Sequence, residues 1–325
     1  MTNLFSKYFM PKQHIRNEYF RLLNGTSPKD IVDGYKNLLD TGIKLIYDHS
    51  NVSSKGVLEH DCDMLFQMIL TKGLSIFQLM NGLILQNKID KDIAFKNFID
   101  PFSIAVLVRS QYEAYCIYYN ILFTHEDINQ RTFIYDLWVI AGLKERQRFA
   151  GVAKSEENVK KMLDERKQIE ELEAKVRGNS SYGKLSPNEI DLIELGIKRR
   201  KFQYCFDGDR IQECPWHLLF SKTGVKTDLL DEMYRYLSLS THPSNVSVFQ
   251  FANMFKSKSH LDNSFFLLKL SKTIMAFSIR DYAIFYPEIK LIFNGLPEEN
   301  QILVNGYNRL FKNESFVVND VENYV

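Results

Sequence analysis

An all-α, multi-helix bundle is the fold class this sequence predicts, on three observations. Apolar residues recur at spacings of three and four over windows far longer than a strand. Only 15 glycines and 8 prolines punctuate 325 residues, of which 45% are hydrophobic, ample for a sizeable core. The stretch 100–123, DPFSIAVLVRSQYEAYCIYYNILF, is apolar around nearly its whole circumference, as a helix in the middle of a bundle must be.

Taken in order, 1–98 supplies the N-terminal helices. A short helix is expected through 14–23, and Ser27-Pro28 reads as cap and first helical position. From there Ile31, Val32, Tyr35, Leu38, Leu39, Gly42, Ile43 and Ile46 form one apolar stripe. After the polar loop 49–56 a helix is expected over 58–87, and NKIDKD (87–92) leads to the central helix, where Asp100 caps and Pro101 occupies the first turn. Residues 99–153 and 202–290 form the expected core bundle, with helices over 131–150, 229–241 and 263–286 and an irregular 202–226. Between them, 154–177 carries seven basic and seven acidic residues on a narrow apolar seam. A flexible link at 178–187 precedes the capping box Ser186-Pro187-Asn188-Glu189, which starts a helix to Lys201. The whole segment 154–201 reads as a projecting, charged helical hairpin able to recruit a protein partner. A last helix near 298–312 and a polar tail make up 291–325, and one helical domain spans the chain.

The net charge of +1 argues against a broadly basic nucleic-acid surface and leaves room for a local one. No signal-type apolar run opens the chain, and Cys62, Cys116, Cys205 and Cys214 are sparse, so a reducing cytoplasm is expected. The apolar run 64–85 is long enough to span a bilayer, but Gln67, Lys72, Gln78 and Asn81 interrupt it, and a buried helix with no membrane role is expected. Cys205, Cys214 and His217 could offer three zinc ligands without the paired spacing of a four-ligand site. His60-Asp61 has the form of a phosphohydrolase dipeptide but lacks further ligands, and it reads as helix capping. Neither metal nor cofactor is called for.

The candidate chemistry lies in two helices. Arg109 and Glu113, four apart on one face of the apolar 100–123 helix, need partners or water, because a bare ion in an apolar interior costs several kcal/mol or more. Arg235 and His242, seven residues apart, fall on nearly one helical face about 10 Å apart. A guanidinium can fork onto a phosphodiester while an imidazole moves a proton at neutral pH, which suffices for metal-free RNA cleavage. Glu113 would orient His242, Arg109 would complete an anion cradle, and the basic run Lys198, Arg199, Arg200 and Lys201 would contact the RNA backbone. The packing alternative makes Arg109–Glu113 an intrahelical pair satisfied by tyrosine hydroxyls, pairs Arg235 with Asp231, and gives His242 and Ser244 a capping role.

Arginine, six residues, histidine resembles the Arg-x(4–6)-His signature of the HEPN (higher eukaryote and prokaryote nucleotide-binding) helical superfamily. The resemblance implies an α-bundle, frequent homodimers and metal-independent ribonuclease activity in bacterial toxin and defence systems, with Arg235 and His242 functional. Tyr236 and Pro243 depart from that pattern. More widely, RSQYEAY (109–115), Trp216 with SKTG (221–224) and YRYLSLSTHPS (234–244) are similar to a bacterial helical family of unknown function with an Arg-x3-Glu helix and a Leu-Ser…His-Pro-Ser element, implying that Arg109, Glu113 and His242 meet. Two functional expectations result: a cytoplasmic RNA-cleaving or nucleotide-binding protein, with RNA or nucleotide as ligand, and a non-catalytic helical interaction protein whose charged arm recruits a partner.

Overall fold

The computed structural model describes residues 27–50, 56–152, 154–242 and 244–312, with Asn17 and Arg21 before them. The expected short helix over 14–23 and the polar tail therefore lie outside the described residues, those two positions excepted. Twelve α-helices and two small antiparallel hairpins are found among the described residues, and the chain is an all-α multi-helix bundle. Its contacts divide it into two compact units: residues 1–55, 63–115 and 224–325, and residues 56–62 and 116–223. The division cuts within two helices, where the neighbours on either side of the cut differ.

The first unit contains α1 (Pro28–His49), most of α2 (Val57–Met80), the ribbon β1 (Leu83–Gln86) and β2 (Ala94–Phe98), and the larger part of α3 (Pro101–Leu122). Ser27 caps α1, its hydroxyl accepting from the Asp30 N–H at 3.1 Å. The helix expected to continue to 87 stops at Met80. Gly82, at φ +84°, turns the chain, and a Cβ there would sit 2.7 Å from the Asn97 Cα, a position only glycine fits. The apolar run that follows is thereby delivered to an antiparallel ribbon, with Leu83 opposite Phe98 and Leu85 opposite Phe95.

The six-residue helix Trp216–Ser221, α7, belongs to the second unit, and the first continues at α8 (Thr227–Thr241), α9 (Asn245–Ser257), α10 (His260–Phe285), α11 (Pro287–Asn294) and α12 (Glu298–Phe311). Of these, α9 and α11 were not expected. Helix α10 is buried from Ser271 through Ile279 on every side and is the axis of its unit. Buried polar groups along it find partners: Ser271 Oγ donates to Gln111 Oε1 at 2.6 Å and lies 2.7 Å from the Tyr35 hydroxyl. The Tyr35 hydroxyl also lies 2.9 Å from the Gly73 carbonyl, and the Gln111 amide donates to the Ile69 carbonyl. Asp281 accepts from the Tyr115 hydroxyl at 2.7 Å and from Lys312 Nζ at 2.8 Å.

The second unit comprises the rest of α3, α4 (Ile128–Gln147), α5 (Glu156–Gly178), α6 (Pro187–Arg199), the hairpin β3 (Tyr204–Asp207) and β4 (Arg210–Glu213), and α7. The span 202–226 is thus not irregular throughout, since it holds a hairpin and a helical turn and a half. Cys205 and Cys214 are joined by a disulfide across this hairpin, so the two sulfurs that a zinc site with His217 would need are bonded to each other. The charged segment 154–201 closes its seam inside this unit instead of standing free. Ile169 and Val176 of α5 and Ile193 and Ile197 of α6 are buried, the last three in one core with Phe133, Ile134, Leu137, Tyr204 and Phe206. Its charges pair with α4: Lys175 with the buried Asp136 at 2.9 Å, Arg146 with Glu165 at 2.8 Å and Lys144 with Glu173 at 2.6 Å.

Two expectations follow from this core. A Cβ at Gly196 would collide with the buried Tyr204 hydroxyl, so Gly196→Ala lowers the unfolding free energy by about 1–3 kcal/mol in urea titrations, and Tyr204→Phe in the same chain recovers part of the loss. His125 is buried against the edge of Phe206, and burial, helped by Lys222 and Arg131, pulls its imidazole down to about 4 from 6.5. Because the folded value is depressed, its stabilising contribution is complete above pH 6.5 and is lost as pH falls towards 4. Wild type therefore loses about 2–3 kcal/mol more than His125→Gln over that window, read as the difference between their urea midpoints.

Candidate functional site

Helix α3 begins with a full cap. The Asp100 carboxylate accepts from the Phe102 N–H at 3.0 Å, from the Ser103 N–H at 3.3 Å and from the Ser103 hydroxyl. Two turns further on, Arg109 Nε donates to Glu113 Oε1 at 3.0 Å, the i, i+4 geometry that their spacing dictates. Tyr234 of α8 closes the group. Its hydroxyl accepts from Arg109 Nη2 at 2.7 Å and donates to Glu113 Oε1 at 3.1 Å. The guanidinium carbon also lies 4.8 Å from the centre of the Tyr234 ring, which packs 5.5 Å from Tyr112. Burial, and then the Glu113 charge, hold the Tyr234 phenol above its ordinary value, so it stays protonated and can donate.

The pair is largely out of solvent, with side chains 17% exposed for Arg109 and 29% for Glu113. One donor is unanswered. Arg109 Nη1 is buried and has no hydrogen-bond partner among the described residues. A buried donor left in this state costs about 1–3 kcal/mol, and an oxygen placed against it would recover that cost.

The other sequence-derived residues lie elsewhere. Among the described side chains of α8, Met233 and Leu237 are buried, and Arg235 is about 200° of helical rotation from each, so it faces away from them. Its side chain is 78% exposed and pairs with Glu232 at 3.2 Å, while the Asp231 side chain lies outside the described residues. His242 is exposed at the C-cap of α8, in extended backbone (φ −115°, ψ 129°). Its carbonyl accepts from the Ser244 N–H at 2.7 Å and the Ser247 hydroxyl at 3.1 Å, and Ser244 then caps α9. Arg109 and Glu113 are therefore brought together. No hydrogen bond or ion pair joins Arg235 or His242 to them among the described residues.

In the second unit, Lys198 and Arg199 are exposed in the last turn of α6, where the helix dipole favours cations. Arg200 takes the left-handed C-cap position at φ 60° and pairs with Glu145 at 2.7 Å, and Lys201 pairs with Glu213 at 2.6 Å. Arg200 lines a cleft of about 830 Å³ with Asp61, Trp138, Arg146 and Phe202. Asp61 is no capping residue: it sits inside α2 and accepts from the Tyr135 hydroxyl at 2.8 Å. A second cavity, about 570 Å³ and mostly apolar, lies in the first unit among Met233, Phe266, Leu270, Tyr307 and Phe311.

No family model, curated protein or solved structure matches the chain. The residue that sequence reasoning passed over is Tyr234. The signal for it was the phase of α8: with Met233 and Leu237 inward, position 234 borders the core and 235 does not.

Tyr234→Phe removes the hydroxyl that Arg109 and Glu113 share and is expected to lower the unfolding free energy by about 1–3 kcal/mol in urea titrations. A loss below about 0.3 kcal/mol would mean that the hydroxyl contributes nothing to the pair.

Proposed function

We propose that this chain is a phosphate-binding helical protein of HEPN-like character, with RNA or a nucleotide as its ligand and Arg109 as the anion anchor. The observation that carries the reading is the buried, unanswered Nη1 of Arg109, on a guanidinium whose other nitrogens are oriented by Glu113 and by the Tyr234 hydroxyl and ring. Such a group is already ordered before an anion arrives, so a phosphate oxygen meets a donor that has no competing acceptor to displace. Metal-independent cleavage, in the manner of a defence or toxin effector, would further require Arg235 and His242 to close on the phosphate held at Arg109. His242 would move the proton and Arg235 would stabilise charge on the phosphoryl group. In the second unit, taken by itself, the exposed basic residues Lys198 and Arg199 would offer salt-dependent contacts to an RNA backbone.

A non-catalytic interaction protein is the second reading, and it is favoured by the same structure in one respect. The Arg109, Glu113 and Tyr234 side chains are largely enclosed, and none of them lines either cavity. In that case the charged outer faces of α5 and α6, whose seam is already occupied, would be the surface that recruits a partner.

Binding of a labelled single-stranded RNA, measured by fluorescence anisotropy at two salt concentrations, separates the readings. The phosphate-binding reading expects Arg109→Lys to weaken binding about tenfold or more, because lysine cannot reproduce the fork. It expects His242→Ala to keep binding and to abolish RNA degradation and any toxicity on expression. Wild type that neither binds nor degrades RNA, and neither binds nucleotides, would leave the interaction protein as the function.

A further inference from the structure

The 830 Å³ cleft of the second unit is floored by one face of α4. Trp138, Gly142 and Glu145 fall on that face four and three residues apart, about 10 Å from first to last. Two residues lining the cleft are not the ones the local backbone prefers. Gly142 sits in the interior of α4, where glycine is less stable than alanine, and a Cβ there would meet nothing within 4 Å. Arg200 holds the left-handed position after α6 at φ 60°, where glycine is the usual residue and a side chain is carried at a cost. No packing contact requires the glycine, and an exposed ion pair with Glu145 stabilises Arg200 only weakly. A molecule seated in the cleft accounts for both: the absent Cβ lets it lie against the floor, and the strained turn brings a guanidinium to its end.

We propose that this cleft binds a short peptide with free ends, about three residues long, its ammonium on Asp61, its carboxylate on Arg200 and Arg146, and an apolar central side chain against Trp138 and Phe202. Charge selects a zwitterion. The charged residues lining the cleft are Asp61 and Glu145 against Arg146 and Arg200, balanced overall and separated along the floor. Asp61 lies at the Trp138 end: its one partner among the described residues is the neutral Tyr135 hydroxyl, whose ring packs 6.1 Å from Trp138. At the other end Arg146, Arg148 and Arg200 share two carboxylates, Glu145 and Glu165, which leaves one positive charge over. A phosphate monoester carries about two negative charges and finds no matching net charge here, whereas a peptide with free ends complements the cleft at both. Length follows from the floor, since an extended chain advances about 3.3–3.6 Å per residue and three residues cover it. This inference uses none of the groups around Arg109 and stands apart from the phosphate reading.

Isothermal titration of the full chain with Gly-Leu-Gly, Gly-Phe-Gly and Gly-Trp-Gly tests it. At least one is expected to bind saturably with Kd below about 1 mM, and the same peptide acetylated and amidated at its ends about tenfold more weakly or worse. Gly142→Leu fills the floor and Arg200→Gly removes the guanidinium. Each is expected to keep the thermal midpoint or raise it by about 1–3 °C, yet to weaken the peptide about tenfold or more. Asp61→Asn weakens the free-ended peptide as well, and acetylating the peptide then makes no further difference. A wild type that binds none of the three peptides overturns the proposal, as does binding that is indifferent to capped ends or to Gly142→Leu. Guanosine monophosphate that binds wild type and fails to bind Gly142→Leu would assign the cleft to nucleotides and likewise overturn it.

Discussion

One buried hydrogen-bonded chain holds the first unit in register. The Tyr35 hydroxyl, the Ser271 hydroxyl and the Gln111 amide join α1, α10 and α3, and each also reaches a backbone carbonyl or a side chain that continues the chain into α2. Apolar helix faces alone tolerate rotation and sliding, because many arrangements bury similar area. A polar chain that must be satisfied at every member admits one arrangement, since each member left unanswered costs about 1–3 kcal/mol. The surrounding apolar side chains provide the stability, and this chain selects which face of α10 meets which neighbour.

Helix α3 meets the same constraint at three levels along its length. Gln111 is answered by serine and a carbonyl, Tyr115 by Asp281 and hence Lys312, and Arg109 with Glu113 by each other and Tyr234. Only the last of these leaves a donor over. Farther along the same helix Asn120 Oδ1 is also buried without a hydrogen-bond partner among the described residues, so an unanswered polar atom is not peculiar to Arg109.

What the sequence made legible was whatever repeats over many residues. The bundle, the long helices and the cap of α3 all follow from periodicity, punctuation and composition, and the Arg109–Glu113 pair follows from spacing alone. The hairpins were not legible, because four-residue runs such as Leu83–Gln86 carry too few alternations to be told from the end of a helix; the turn at Gly82 decided it. The narrow seam of 154–177 was visible, but its partner, α4, is distant in sequence and no local pattern announces it. In the candidate site, the charged residue of α8 drew attention while its neighbour Tyr234 makes the contact. The helical phase set by Met233 and Leu237 holds that information. Where His242 ends up depends on a cap geometry that a single sequence does not fix.

The bridge between Cys205 and Cys214 has a kinetic side. Both cysteines are wholly enclosed, with Tyr204 and Phe206 on either side of one of them packed into the core. A thiolate must approach along the S–S axis to exchange, so small thiols outside gain entry only when the hairpin transiently lifts from its helices. Enclosure therefore sets how fast this pair can respond to the redox potential of the surrounding solution, at the pace of local opening, and leaves the balance that potential dictates unchanged.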